Sequence, residues 1–257
     1  MYVVADDRLE LVVYDLKGAR RQSISLLRGD LPEEHAARKA AKPDFEALVV
    51  LPDGSLLALG SGSTARRQRG AWVQNVASEP STHEVDLSEL FAALGAELPE
   101  LNIEGGVIFG AELYLSSRGN GARQENALVQ LELRRVLDGL HTEHRIPADS
   151  VRSVQRVQLE MLDGVPLSLT DLASDDAGLI FCAAAEASAN TYDDGACAGS
   201  VVGRLASDGT ASELVLIARD LKLEGICSAG GRELFAVADA DDPASRAPLL
   251  VFEPWSA

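Results

Sequence analysis

Four acids recur in one local setting along the chain: Glu46, Glu104, Asp171 and Glu224, at intervals of 58, 67 and 53 residues. Each opens an apolar run that leads through a turn into a second apolar run and then a polar loop. Carboxylates gathered in one place repel. At about 6 Å and an effective dielectric near 20, each ionised pair costs roughly 3 kcal/mol. Three remedies exist, and each implies a different chemistry: a bound cation, salt bridges to Arg or Lys, or a proton retained at a raised pKa. For the first, calcium is the natural cofactor, because hard carboxylate and carbonyl oxygens suit it. For the second, the chain offers Lys42, Arg66, Arg67, Arg118 and Lys222 close to the acids or their loops.

Only a repeat could bring such distant residues together. The four stretches are FEALVVLPDGSLLALGSGS (45–63), IEGGVIFGAELYLSSRGNG (103–121), LTDLASDDAGLIFCAAAEAS (169–188) and LEGICSAGGRELFAVADADD (223–242). Their turns, PDG, FG, DDAG and AGG, carry hairpin chemistry between strand-like runs. Further strands follow each hairpin, and the spacing suits four-stranded blades with loop insertions. The expected fold is therefore all-β, a single β-propeller domain over residues 1–257. Five blades are counted, the first lacking its first strand and the last its fourth, with six blades as the alternative. Short helices are expected near 32–41 and 88–97.

In a propeller blade the first strand is innermost and pairs antiparallel with the second. The start of the first strand and the loop after the second then share one end of the central channel. That topology places Asp44, Glu46, Glu104, Asp171 and Glu224 at one acidic mouth. It adds Asp6, Asp7, Ser61, Ser63, Arg118, Asn120, Glu186, Asp239 and Asp241 from the loops. Glu46, Glu104, Asp171 and Glu224 are the candidate metal ligands. Arg66, Ser63, Arg118, Asn120, Glu186 and Asp239 are the candidate ligand-binding residues, with no catalytic residue assigned. The glycines after Glu104 would permit close approach of the inner strands.

Composition bounds the partners. The net charge is −17, from 40 acidic and 23 basic residues, which opposes binding to nucleic acid. No long apolar stretch predicts a membrane span. No signal peptide is visible, so the expected location is cytoplasmic, and a chain that opens directly in a strand leaves room for a missing upstream segment. The three cysteines, Cys182, Cys197 and Cys227, form no C-x-x-C pair and no disulfide framework. His35, His83, His141 and His144 fall outside the repeated elements, so nothing there points to zinc. GSGSTARRQRG (60–70) lacks the P-loop pattern, and NTYDDGACAGSV (190–201) lacks the closing Glu of an EF-hand, although Asp193 and Asp194 could cap a surface ion. A Ser-His-Asp arrangement is not indicated. The expected partner is a small anionic molecule or a protein, and the expected state a monomer.

The stretches KPDFEALVVLPDGSLLALGSGST, LNIEGGVIFGAELYLSSRGNG and LKLEGICSAGGRELFAVAD resemble motifs of an uncharacterised family of bacterial β-propeller proteins. More distantly, their acid-led openings resemble the phytase-like and gluconolactonase-like propellers. The closer resemblance spans about residues 1 to 254 and implies no function of its own. The distant one implies calcium at the channel mouth, activating water or holding substrate, with Glu46, Glu104 and Glu224 as ligands. Asp171 stands where a Glu would be expected, and no Gly follows it. Two functions result: a propeller that binds a ligand or partner at its acidic mouth, or a calcium-dependent hydrolase of phosphoester or lactone type.

Overall fold

The structure, a computed structural model, describes residues 1–119, 122–186, 197–228, 230–239 and 246–255. The first sheet joins β1 (Tyr2–Val3), β2 (Glu10–Tyr14) and β3 (Arg20–Ser25). Helix α1 (His35–Ala41) leads into the second, formed by β4 (Phe45–Val50), β5 (Leu56–Gly60), β6 (Arg69–Gln74) and β7 (Ser81–Asp86). Helix α2 (Ser88–Glu97) leads into the third, with β8 (Ile103–Phe109), β9 (Glu112–Ser117), β10 (Asn126–Glu132) and, after helix α3 (Leu133–Glu143), β11 (Val151–Val157). The fourth has five strands: β12 (Met161–Leu162), β13 (Val165–Asp175), β14 (Gly178–Glu186), β15 (Cys197–Leu205) and β16 (Ala211–Ala218). The last joins β17 (Lys222–Ser228), β18 (Leu234–Asp239) and β19 (Leu249–Phe252).

Within every sheet the strands are neighbours in chain order, the meander of a propeller blade. The fold is a five-bladed β-propeller, so the six-bladed alternative is set aside. The first and last sheets hold three strands each, as the strand count along the sequence requires. Helix α3 was not expected. Its buried side chains Leu133, Val136 and Leu140 recur at helical spacing, but the apolar run 126–133 reads as one strand and hides the helix start. Among the described residues no helix is long and apolar enough to cross a membrane.

The contacts group into two compact units: residues 1–103, 110–112 and 131–152, and residues 104–109, 113–130 and 153–257. The first unit is centred on Leu11, Ile24, Phe45, Leu56, Ala58 and Val73. The second has two apolar clusters, and β14 serves both. Leu179, Phe181, Ala183 and Ala185 pack into one, while Ile180 and Cys182 pack into the other. The two-residue period of a strand buried on both faces produces that division.

Candidate functional site

In the second unit the acids do not stand alone. Arg118 lies just past the end of β9 and is 5% exposed. Its Nη1 donates to Glu104 Oε2 at 3.3 Å and its Nη2 to Glu186 Oε2 at 2.6 Å. Glu224 Oε1 lies 3.9 Å from the same Nη1. Lys222, also buried, completes the cluster, with Nζ 2.8 Å from Glu224 Oε1 and 3.8 Å from Glu186 Oε2. Antiparallel pairing of β17 with β18 sets Asp239 opposite Lys222. The start of one strand and the end of its partner thus meet, as blade topology demands. Burial works against the Lys222 charge, but Glu224 raises its pKa overall. Glu224 in turn has its pKa raised, chiefly by burial and further by Asp239, while Arg118 and Lys222 pull it down.

The register places Asp171 differently from the other acids. In β4 the ladder slips between Phe45 and Ala47, leaving Glu46 in a bulge, and in β17 it slips between Leu223 and Gly225, leaving Glu224. In β13 the slip falls between Leu169 and Asp171, so the residue at the acid position is Thr170. Asp171 is one step further and, by strand alternation, faces the other way. It corresponds to Ala47 and Gly225, both small. The expectation of four equivalent acids is corrected to this extent, for a one-residue bulge shift re-aims every following side chain.

The carboxyl of Asp171 lies among the backbones of β8, β13 and β17. Oδ1 accepts from Leu172 N–H at 2.7 Å and Oδ2 from Ile226 N–H at 2.9 Å. A Cβ on Gly105 would stand 2.6 Å from the Asp171 Cα, so only glycine lets β8 come this close. Burial pushes the Asp171 carboxyl up to about 8, against the lowering by the N–H groups of Ile226, Leu172 and Gly106. Below that pH the group carries its proton, which is the third remedy for crowded carboxylates. The folded protein therefore binds a proton that the unfolded chain releases near pH 4. Asp171 makes stability fall as pH rises from about 4 to about 8, by at most about 1.4 kcal/mol per pH unit. Urea midpoints of the native chain should decline across this window, and Asp171→Asn should flatten the decline. Identical slopes for the two proteins would refute the assignment.

The first unit solves the same problem with different residues. Asp44, 3% exposed and at φ 59°, precedes β4. Its carboxylate is held by Lys42 Nζ at 2.8 Å, Arg67 Nη1 at 2.7 Å and Ser61 Oγ at 2.5 Å. Lys42 also bonds Asp6, and these two aspartates raise its pKa although burial opposes its charge. Ser63 Oγ accepts from Arg67 Nη1 at 2.9 Å. Arg66 is exposed in the short 3₁₀ turn Ala65–Arg67, so its neighbour Arg67 is the residue that reaches the acid. Asp6, Asp44 and Glu46 bring one carboxylate oxygen each within 4.8 Å of one another. Of the remaining expected residues, Asn120, Asp193, Asp194 and Asp241 lie outside the described residues.

Sequence reasoning missed Asn126, the first residue of β10. It is 4% exposed, and its side chain stitches one strand connection to the next sheet. Oδ1 accepts from Gly119 N–H and Leu169 N–H, both at 2.9 Å, and Nδ2 donates to Leu167 O at 2.9 Å. An asparagine among apolar residues at a strand start was the available signal. It is a positioning residue: it fixes the segment after Arg118 and the start of β13 together.

Residues 38–243 match a family described only as a family of unknown function, DUF6910. No curated protein matches the chain. The matched stretch begins within α1, runs past the last residue of β18, and contains the Arg118–Lys222 cluster together with Lys42, Asp44 and Arg67 of the first unit; the chain belongs to the DUF6910 family.

Proposed function

We propose that the protein is a non-catalytic binding propeller whose seat for a small, positively charged ligand is the edge of the Arg118–Lys222 cluster. One observation carries this reading: acids outnumber bases there. Among the described residues, Glu104, Glu186, Glu224 and Asp239 gather around Arg118 and Lys222. The members that reach solvent are acids, Glu224 with 25% of its side chain exposed and Asp239. An anionic ligand, which Arg118 suggests in the sequence, would have to draw the guanidinium away from carboxylates that depend on it. A ligand ammonium meets no such cost. Cys182 is buried and its thiol is pushed up by desolvation, so it is not a reactive thiolate. Fold does not choose the function; the site chemistry does.

The probe is 1,4-diaminobutane, followed by thermal melting. At a hundredfold excess over Kd a ligand adds about 2.7 kcal/mol, a rise of roughly 5–10 °C for a chain of this size. The rise should vanish in the double variant Glu224→Gln, Asp239→Asn. No rise at millimolar diamine, or a rise that survives the double variant, would exclude this seat.

A calcium-dependent hydrolase of phosphoester or lactone type is the second reading, favoured by the Asp6, Asp44 and Glu46 oxygens in the first unit. Three carboxylates are a fraction of the six to eight oxygens that calcium takes, and the Lys42 ammonium already bridges Asp6 and Asp44. Glu104 and Glu224 are likewise engaged by Arg118 and Lys222, so the set fits calcium only if these cations withdraw. Chelation followed by millimolar calcium should leave the melting temperature unchanged. A large calcium-specific rise would favour the hydrolase and justify phosphoester and lactone substrates.

A further inference from the structure

A cleft of about 740 Å³ in the first unit is walled by the edges of two strands. Residues 22–28 line it without a gap on one side, and Thr82, His83 and Glu84 do so on the other. A strand that shows a cleft one face contributes every second residue, whereas an unbroken run means that the cleft lies along its edge. β3 is the last strand of its sheet and pairs only with β2. Just past it, Leu26 N–H donates to Leu9 O at 2.8 Å. That sets the phase of the ladder: the backbone groups of Gln22, Ile24 and Leu26 face β2, and those of Ser23 and Ser25 face outward. The Ser25 carbonyl accepts from Thr82 Oγ1 at 2.8 Å. The Ser25 N–H and both backbone groups of Ser23 bond nothing among the described residues.

We infer that this cleft binds an extended peptide, which adds to the outer edge of β3 and pairs an acidic side chain with Arg28. The opposite wall shows that such an edge takes an extended segment. Asp86 at the end of β7 donates its N–H to His144 O at 2.9 Å and accepts from Ile146 N–H at 3.2 Å, a parallel bridge opposite Arg145. That pairing stops at Asp86, and the cleft continues beside Glu84 and Thr82. The choice of an acidic peptide comes from the charges. Arg69 is engaged by Glu84 at 3.3 Å. Arg20 and Arg21 at the start of β3 are held by Glu10 and Asp15. Arg28 is exposed at the end of the wall and holds no acid among the described residues. One positive charge is therefore left over in the cleft of a chain whose net charge is −17. Main-chain bonds to Ser23 and Ser25 would supply affinity and register, and Arg28 the selectivity. The site uses first-unit residues alone and does not rest on the diamine reading.

The probe is a fluorescein-labelled, end-blocked peptide, Thr-Val-Thr-Asp-Thr-Val-Thr, followed by fluorescence anisotropy. It should bind saturably with a Kd below about 1 mM, and its counterpart with lysine in place of aspartate at least about tenfold more weakly. Arg28→Glu should reverse that preference. Ser23→Pro removes one outward N–H and spares the ladder to β2, since proline is accepted where the donor faces out of a sheet. It should weaken binding at least about fivefold, with circular dichroism to verify folding. Sedimentation of the native chain covers the other occupant: a dimer that Ser23→Pro dissociates would mean that a second copy fills the cleft, and would overturn the peptide site. So would absence of saturable binding at millimolar peptide, equal affinity for the two peptides, or an unchanged preference in Arg28→Glu.

Discussion

Arg118→Met is expected to lower stability by about 3–5 kcal/mol at neutral pH, the cost of leaving buried charges without their partner. Methionine keeps most of the side-chain volume, so the loss isolates the charge. Glu104 and Glu186 would lose their hydrogen bonds to the guanidinium, and Lys222, a single ammonium already 2.8 Å from Glu224, cannot serve them as well. Arg118→Lys should recover little, because one point charge cannot reproduce the fork that meets several carboxylates at once. The melting temperature should fall by roughly 6–20 °C at 2–4 °C per kcal/mol. Adding Glu186→Gln to Arg118→Met should restore part of the loss, since it removes one of the orphaned charges, and the double-mutant cycle measures that coupling. A cost under about 1 kcal/mol would mean that something other than Arg118 neutralises these acids, and a bound cation would then become the leading explanation.

The sequence made the blades legible because hairpin turns and two-residue alternation are local signals. Helix α2 occupies 88–97 and the first and last sheets are short by one strand, both as the pattern of turns and apolar runs requires. The counter-charges were legible as a set: Lys42, Arg67, Arg118 and Lys222 all hold acids. What the sequence hides is a matter of one residue. Arg66 and Arg67 are adjacent, and only the path of the 3₁₀ turn decides which reaches Asp44. Thr170 and Asp171 are adjacent, and only the bulge in β13 decides which takes the acid position. An apolar residue, an acid and a small residue do not encode where a ladder slips, because the slip depends on both strands. Asn126 depends on partners 41 and 43 residues away, Leu167 and Leu169, beyond any local pattern.

Gly105→Ala carries the second large effect, and its size follows from the same packing. A methyl group at 105 would stand 2.6 Å from the Cα of Asp171, 2.6 Å from its Oδ1 and 2.7 Å from the backbone nitrogen of Leu172. Two of these three atoms are backbone, so no rotamer change relieves the overlap. The strands β8 and β13 must separate, which strains the hydrogen bond from Gly106 N–H of β8 to the Asp171 carboxyl. Overpacking of this kind costs about 1–3 kcal/mol and more where backbone must move, so a loss near 3 kcal/mol is expected, read as a fall of roughly 6–12 °C in melting temperature. Gly95→Ala provides the opposite sign. That glycine lies within α2 with nothing within 4 Å of an added Cβ, and alanine there should stabilise by about 0.5–1 kcal/mol. If the two substitutions behaved alike, the close approach of β8 to Asp171 would not be what glycine serves at 105. If they diverge as expected, the small residue after Glu104 is there to admit the neighbouring strand's carboxyl, and the acid beside it is free to face Arg118.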